Sequence, residues 1–370
     1  MNRVKVAIVA PSLRILGGQA VQADRLLRAW QDDPDVDAWL VPVNPVLRGP
    51  LGGAARIKYA RTIATQIVYW PLLVRELSRA DVVHVFSASY SSFLLAPLPA
   101  ILVARALGRP VVLNYRSGEA PDHLDRSAVA RAALRRVDRN VVPSRFLVDV
   151  FARFQIDATV IPNVVDFAAF GYRERDPLRP RLLSTRNLER LYNIACTIRA
   201  FRRVQDRHPD ATLTLVGGGA EEASLRRLAV DLGLRGVTFA GRVAPDLMAR
   251  FYAEHDIYLQ SPDIDNMPTS VLEAYASGLP VVSTEAGGVP AILTHGVDGL
   301  LAPLNDPDAL AGGVITLLDR PEYARRLARQ AFDGCRGCTW EGVRARWIDL
   351  YRSVLPRSAH QPAPSPTHAA

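Results

Sequence analysis

The feature that most constrains this chain is an alternation that runs twice. Short apolar runs of strand length are separated by longer stretches of helical period, first over residues 4–161 and again from Arg181 onward. Runs that are apolar at consecutive positions suit strands buried on both faces, and such strands build parallel sheets covered by helices. The spacing predicts strands over Val4–Ala10, Ala38–Val43, Val82–Phe86, Val111–Asn114, Arg139–Val142 and Thr159–Ile161. A second set falls over Arg181–Ser184, Thr212–Val216, Val237–Ala240 and Ile257–Gln260, followed by one more helix and buried strand. Between the sets, Asn163–Arg179 loses periodicity and collects charge and proline, as a linker does. The expected fold is α/β, with two Rossmann-like βαβ domains facing a central cleft. Ligands of such sheets bind at the carboxyl ends of the strands.

At 370 residues the chain is long enough for two full cores. No apolar run reaches the length of about 18 residues that a membrane-spanning helix needs. The opening MNRVKVAIVAPS is basic, then apolar, but short, so it reads as a first strand and not as a leader. A cytoplasmic location is therefore expected. Cys196, Cys335 and Cys338 cannot build a disulfide framework, and the lone Cys335–Cys338 pair reads as small helix-end residues. Charge is lopsided: residues 1–165 carry 21 Lys+Arg against 13 Asp+Glu, whereas the remainder carries 24 of each. One-sided basicity suits an anionic partner such as a membrane surface or lipid diphosphate, or simply a solvated arginine-rich face. No helix-turn-helix, zinc or RNP-type pattern accompanies it, so a nucleic-acid partner is not expected.

The chemistry concentrates in Ser261–Leu293, SPDIDNMPTSVLEAYASGLPVVSTEAGGVPAIL. It reads as strand end, polar loop, short helix, buried strand and Gly-Gly turn. The helix is expected to begin near Thr269 or Ser270, with Pro268 at its entrance and either hydroxyl as its cap. Asp265 then sits in the loop and Glu273 about one turn into the helix. Loop carboxylate, helix N-terminus and helix carboxylate face one cleft, where the free amides hold phosphate and the carboxylates hold sugar hydroxyls.

This segment resembles the donor-binding signature of retaining glycosyltransferases of family 4, which have the GT-B fold. The signature is two glutamates with seven residues between them, then an alanine and a Gly-x-Pro-Val-Val strand. Here Asp265 replaces the first glutamate, and Glu273 is followed by Ala274 and by Gly278-Leu279-Pro280-Val281-Val282. Gly287-Gly288-Val289-Pro290 and Gly296-Val297-Asp298-Gly299 also match. The resemblance extends over nearly the whole chain. It implies an N-terminal acceptor-side domain over 1–165, a linker over 166–180 and a nucleotide-sugar domain over 181–338. A C-terminal helix over 339–355 would cross back to the first domain, and the Pro/Ala/Ser-rich 356–370 would be a disordered tail.

The resemblance implies metal-independent, retaining transfer of a hexosyl group from a UDP- or GDP-linked sugar to a glycan or lipid-linked acceptor. Arg116, Asp265 and Glu273 are the candidate catalytic residues. Gly17, Gly18, Arg186, Gly217, Arg242, Asn266, Met267, Pro268, Thr269, Ser270 and Glu273 are the candidate donor-binding residues. Arg186 fills the position of a diphosphate-binding arginine, but the lysine expected five residues later is Leu191, for which Arg190 is one substitute. The acidic position after Gly17-Gly18 is Ala20. Arg116 stands where the family has a histidine that touches the sugar; it either binds phosphate or acceptor, or pairs with Glu119. His123 lies nearby and reads as structural. Ser144 reads as a helix cap.

Arg56–Arg79 mixes bases with Ile, Val, Tyr and Trp, so it suits either a membrane surface or a core helix with snorkelling bases. Peripheral contact with the inner face of the membrane through the basic half follows from the first alternative. Ser91–Leu107 reads as one buried helix. A rival reading is a degenerate binding protein, motivated by the departures at Arg116, Leu191 and Asp265. A sugar-nucleotide epimerase is weaker, because no acid/base carboxylate pair at the sugar can be identified.

Overall fold

A computed structural model of the chain describes residues 3–14, 17–47 and 58–356. Two six-stranded sheets, all parallel, make the frame. The first contains β1 (Val4–Ala10), β2 (Val36–Pro42), β3 (Val82–Ser87), β4 (Val111–Tyr115), β5 (Arg139–Val142) and β6 (Thr159–Val160), in the order β2-β1-β3-β4-β5-β6. The second contains β7 (Arg181–Ser184), β8 (Thr212–Val216), β9 (Val237–Gly241), β10 (Ile257–Gln260), β11 (Val281–Thr284) and β12 (Leu300–Ala302), in the order β12-β11-β10-β7-β8-β9. Strand β3 is buried at every position, and so is β4, as the unbroken apolar runs require. The fold is α/β with two Rossmann-like halves, and strand positions agree with the sequence pattern to within two residues at each end.

Each sheet reverses its winding once. In the first, the chain moves outward from β1 to β2 and then returns to β3; in the second, it moves from β7 to β8 and β9 and then returns to β10. The loops after β1 and β3, and after β7 and β10, leave in opposite directions and open a crevice at each switch point. Gly17 and Gly18 follow β1, Arg186 follows β7, and Asp265–Ser270 follows β10.

The chain crosses between the halves twice, near Ile161–Asp166 and near Cys338, and the crossings are tied together by Val165 N–H donating to the Cys338 carbonyl at 2.9 Å. After the second crossing, the Trp340–Val354 helix packs on the first sheet. Its Trp347 and Tyr351 join the core around Val4, Val6 and Ile8. Its Arg344 pairs with Asp33 and Asp35, each at 2.7 Å.

Two local expectations are corrected. Ser91–Leu107 is two helices, Tyr90–Leu95 and Pro97–Ala106, because Pro97 can start a helix but cannot continue one. It is also not wholly buried: Leu94, Leu95 and Leu102 are exposed. Ser144 stands at a helix start but its hydroxyl does not cap, and the same is true of Thr269 and Ser270. The Lys58–Leu77 helix packs one side into the core, as the second alternative expects, and exposes an apolar stripe on another. Ala64, Tyr69, Leu73 and Leu77 are in the core, while Tyr59, Ile63, Ile67, Trp70 and Val74 are exposed. The tail expected from residue 356 lies, from 357 onward, outside the described residues, as do residues 56 and 57 of the basic stretch.

Candidate active site

The second sheet supplies one wall. Arg186 leaves β7 under the glycine turn that follows β8. Gly217 has φ +145°, and a Cβ there would stand 2.2 Å from the Arg186 carbonyl, so only glycine lets the two turns stack. The Gly-Gly turn after β11 does the same for the acidic loop. A Cβ on Gly287 would meet the Asp265 carbonyl at 2.3 Å, and one on Gly288 the Asn266 carbonyl at 2.1 Å. The glycines of the signature thus serve close packing and set the height of the Asp265–Pro268 loop.

On this wall Arg186 and Asp265 form a largely buried ion pair at 2.5 Å. Arg186 also donates to Ser270 Oγ at 3.1 Å and lies over the Tyr192 ring, 4.0 Å from its centroid. Burial works to lower the guanidinium pKa, but Asp265 together with Tyr192, Tyr258 and Tyr252 outweighs it, so the pKa is raised and the group stays charged. Burial raises the Asp265 pKa, opposed by Arg186 and by the Asn266 N–H that donates to its Oδ1. The Thr269–Ala276 helix begins at Pro268 with no side-chain cap. Its Ser270 and Thr269 hydroxyls instead accept from Arg186 and from Gln22 of the opposite wall. The helix end is left open to the cleft, where its partial positive charge favours anions. Arg186 Nε and Asn266 Nδ2 are buried donors with no hydrogen bond within the protein.

Glu273, on the same helix, is held from two sides. Arg25 Nη2 donates to one carboxylate oxygen at 2.6 Å, and the Tyr252 hydroxyl to the other at 2.9 Å. The Tyr252 pKa is pushed far up by burial and by the Glu273 charge, so the phenol stays a donor. Arg25 comes from the Gly18–Ala29 helix of the first half. From that helix Gln22 also clamps the linker: its amide donates to the Val164 carbonyl at 2.8 Å and accepts from the Val164 N–H at 2.9 Å.

The first sheet supplies Gly17, Gly18 and Arg116. Arg116 does not pair with Glu119; its guanidinium donates to the side-chain oxygens of Asn163 and Asn114 and lies over Phe86. Gly118 rests against the Asp265 backbone, which brings the two walls together. Ser144 Oγ donates to Asn266 Oδ1 and adds another bond across the walls.

All the candidate residues therefore line one cleft: Gly17, Gly18, Arg116, Arg186, Gly217, Arg242, Asp265, Asn266, Met267, Pro268, Thr269, Ser270 and Glu273. Its volume of about 370 Å³ falls within the range of small-molecule sites, roughly 300–1,000 Å³. Arg190 is exposed and does not line it; Leu191 does, and its carbonyl accepts from the Asp263 and Ile264 N–H groups. Arg242 reaches the cleft beside Gly218. His123 is buried away from the cleft, bonded to the Tyr115 hydroxyl at 2.7 Å. Asp263 accepts from Asn193 at 2.9 Å. Among the described residues no group of three or more His, Cys, Asp or Glu is placed to hold a metal ion.

Sequence reasoning missed Gln22, Arg25, Asn163 and Tyr252. A signal existed for the first two: Gln19, Gln22 and Arg25 recur every three residues along one side of the helix that follows the Gly-Gly turn. Nothing local marks Tyr252, and Asn163 is legible only as part of the crossing segment Ile161–Asp166.

Residues 16–169 match Glycosyltransferase Family 4, and residues 179–320 match Glycosyl transferases group 1. The chain is similar to D-inositol 3-phosphate glycosyltransferase of Acidothermus cellulolyticus, 26% identical over 94% of this chain and 85% of that protein. It is similar to phosphatidyl-myo-inositol mannosyltransferase of Mycolicibacterium smegmatis, 24% identical over 95% of this chain and 94% of that protein. Among solved structures, Anabaena Alr3699/HepE in complex with UDP-glucose superposes with a TM-score of 0.75 at 17% identity, covering 95% of this chain and 100% of that one. Sucrose-phosphate synthase of Thermosynechococcus elongatus also gives 0.75, at 20% identity, over 96% and 100% of the two chains. At these identities the structures establish a shared GT-B architecture.

Proposed function

The chain belongs to glycosyltransferase family 4, the group 1 glycosyl transferases, and from that premise we propose that it moves a hexosyl group from a UDP- or GDP-linked sugar, with retention, to a glycan or lipid-linked acceptor. That it is a glycosyltransferase using a nucleotide-sugar donor follows from its relatives. One observation carries the finer reading. Arg186, the open end of the Thr269–Ala276 helix and Glu273 meet in one cleft at the switch point of the second sheet.

In this reading the donor diphosphate lies against the helix end and the two spare donors, Arg186 Nε and Asn266 Nδ2. Arg242 supplies the second cation that Leu191 cannot. Gly17, Gly18 and Gly217 let the donor approach the backbone. Glu273 takes ribose hydroxyls, sharing its carboxylate with Arg25 and Tyr252, and Asp265 with the loop to Pro268 faces the sugar. The anomeric C–O bond to the diphosphate breaks while the acceptor oxygen bonds the same face of that carbon. The acceptor proton passes to the departing diphosphate oxygen. The protein supplies orientation and charge stabilisation, with arginines and helix amides in the place of a metal ion.

The departures at Arg116, Leu191 and Asp265 do not favour a degenerate protein. Asp265 is built into an ion pair with Arg186, and Leu191 into the backbone bonds of the acidic loop. The first half is the acceptor side in this reading. The exposed stripe of the Lys58–Leu77 helix supports peripheral contact with the cytoplasmic membrane face. No helix of the described residues is long and apolar enough to cross a membrane.

The test is a thermal-shift comparison of UDP, GDP, ADP and their sugar conjugates on wild type and Glu273→Ala. A ligand at about 100 times its Kd adds about 2.7 kcal/mol of stability. The expected result is a rise in Tm with one nucleotide family, lost in Glu273→Ala. A flat response to every nucleotide would remove the donor-site assignment.

A further inference from the structure

Four arginines line the cleft, and they are not equivalent. Arg25 is paired with Glu273 at 2.6 Å and Arg186 with Asp265 at 2.5 Å. Arg242 is exposed, so water screens its charge. Arg116 is half-buried and has no ion pair with a carboxylate among the described residues. Its hydrogen-bond and ring partners among the described residues are neutral. Nη2 donates to Asn163 Oδ1, Nη1 lies 3.5 Å from Asn114 Oδ1, and the guanidinium stands 5.2 Å from the Phe86 ring centroid. Nearby His84 is no counter-ion: its pKa is pushed down to about 3, first by burial and then by the Arg116 charge, so it is neutral.

Burial pushes the Arg116 pKa down to about 9, with no nearby anion to offset it, yet the group remains a cation near neutral pH. A sheltered cation without a counter-charge is costly, and a ligand anion removes that cost. The guanidinium is also fixed in advance. Asn163 Nδ2 donates to the Met267 carbonyl at 2.7 Å, and Asn114 is bonded to His84, which is bonded to the Tyr351 hydroxyl at 2.8 Å. Both supports are amides buried in the frame, so the fork is oriented before any ligand arrives.

We propose that Arg116 is the counter-ion of an anionic group on the reacting end of the substrates, a carboxylate or phosphate carried by the transferred sugar or by the acceptor, separate from the donor diphosphate. The inference rests on the donor site described above and names the class of substrate that site takes. Arg116 rises from β4 of the first sheet, whereas Arg186, Arg242 and the helix end belong to the second. The diphosphate engages the second wall and leaves the Arg116 fork for another anion. A neutral hexose moved to a neutral acceptor would leave that cation sheltered and unpaired.

The experiment compares wild type with Arg116→Gln and Arg116→Lys, after melting curves establish that each variant folds. The first measurement is UDP and GDP affinity by calorimetry. Wild type binds UDP and Arg116→Gln keeps that affinity within about twofold. In the donor arm, UDP-glucuronic acid is set against UDP-glucose. In the acceptor arm, glycerol 1-phosphate and myo-inositol 1-phosphate are set against glycerol and myo-inositol, added to the UDP complex. In one arm wild type favours the charged member by roughly tenfold or more. Arg116→Gln abolishes the preference and Arg116→Lys retains part of it. The arm that responds identifies whether the anion is on the sugar or on the acceptor. Equal binding of charged and neutral members in both arms overturns the proposal. So does a fall in UDP affinity in Arg116→Gln as large as that in Arg186→Gln, which would make Arg116 a diphosphate ligand. Failure of wild type to bind either UDP or GDP would strike instead at the donor site.

Discussion

At the scale of single residues, the cleft is a set of charges whose partners decide their work. Arg186 and Asp265 are both largely buried, and each is the other's counter-ion. Removing one member of such a pair leaves a buried charge alone, at a cost of about 3–5 kcal/mol, whereas removing both is far milder. Arg186→Gln should therefore lower stability by about 3 kcal/mol in urea titration. Arg186→Gln combined with Asp265→Asn should recover most of that loss. Donor-induced stabilisation should be missing from both variants, because the diphosphate then lacks its guanidinium. Full donor binding in the double variant would reduce the pair to a structural strut. The Asp265 carboxylate is one methylene shorter than the glutamate of the family signature, and here it pairs with Arg186.

At the scale of elements, the Lys58–Leu77 helix is amphipathic in a way the sequence could not orient. Its residues at i, i+4, i+8, i+11 and i+15 from Tyr59 are all apolar and all exposed, with Tyr59 at 78% and Ile63 at 63%. Tyr69, Leu73 and Leu77 on other faces fill the core. The exposed leucines of the next two helices are close by, since Gln66 Nε2 donates to the Leu95 carbonyl at 2.9 Å. An apolar stripe in the basic half of the chain suits an anionic bilayer, where each seated side chain contributes about 1.5–3 kcal/mol. Ile67→Glu with Trp70→Glu should cut sedimentation with phosphatidylglycerol vesicles at least tenfold while leaving Tm and UDP binding unchanged. Equal sedimentation of variant and wild type would remove the stripe from the membrane reading. Trp70 emission provides a second readout, shifting to the blue on vesicles if the ring enters the interface.

At the scale of the whole molecule, the two sheets are held together across the cleft by a few polar bonds that also touch the site. Gln22 joins the first helix to Val164 and Thr269, Arg25 joins it to Glu273, and Ser144 bonds Asn266. The same bonds that bring the walls together thus hold the candidate residues in position. Gln22→Ala with Arg25→Ala should loosen this arrangement. Small-angle scattering should show a larger radius of gyration for the free variant, and donor affinity should fall although neither side chain is assigned to the diphosphate. An unchanged scattering profile would mean that the backbone crossings near Ile161–Asp166 and Cys338 fix the geometry alone.

What the sequence determined by itself was local and periodic. Unbroken apolar runs made β3 and β4 legible as buried strands, and the double βα series made the two parallel sheets legible. The Ser261–Leu293 segment, with glycines that only close backbone packing explains, marked the loop that meets Arg186. Tertiary structure decided the partners. Arg25 and Glu273 are 248 residues apart, and Ser144 and Asn266 are 122 apart. Ser144, Thr269 and Ser270 all looked like caps, and the structure turned their hydroxyls toward other residues. Whether Arg116 would find Glu119 or no carboxylate at all depended on where β4 delivered it. Hydrophobic period likewise revealed a helix at Lys58–Leu77 but not which of its apolar faces meets the core. The reason is common to these cases. Period and turn chemistry act over a few residues of chain, whereas side-chain partners are fixed by which strand ends two packed sheets bring together.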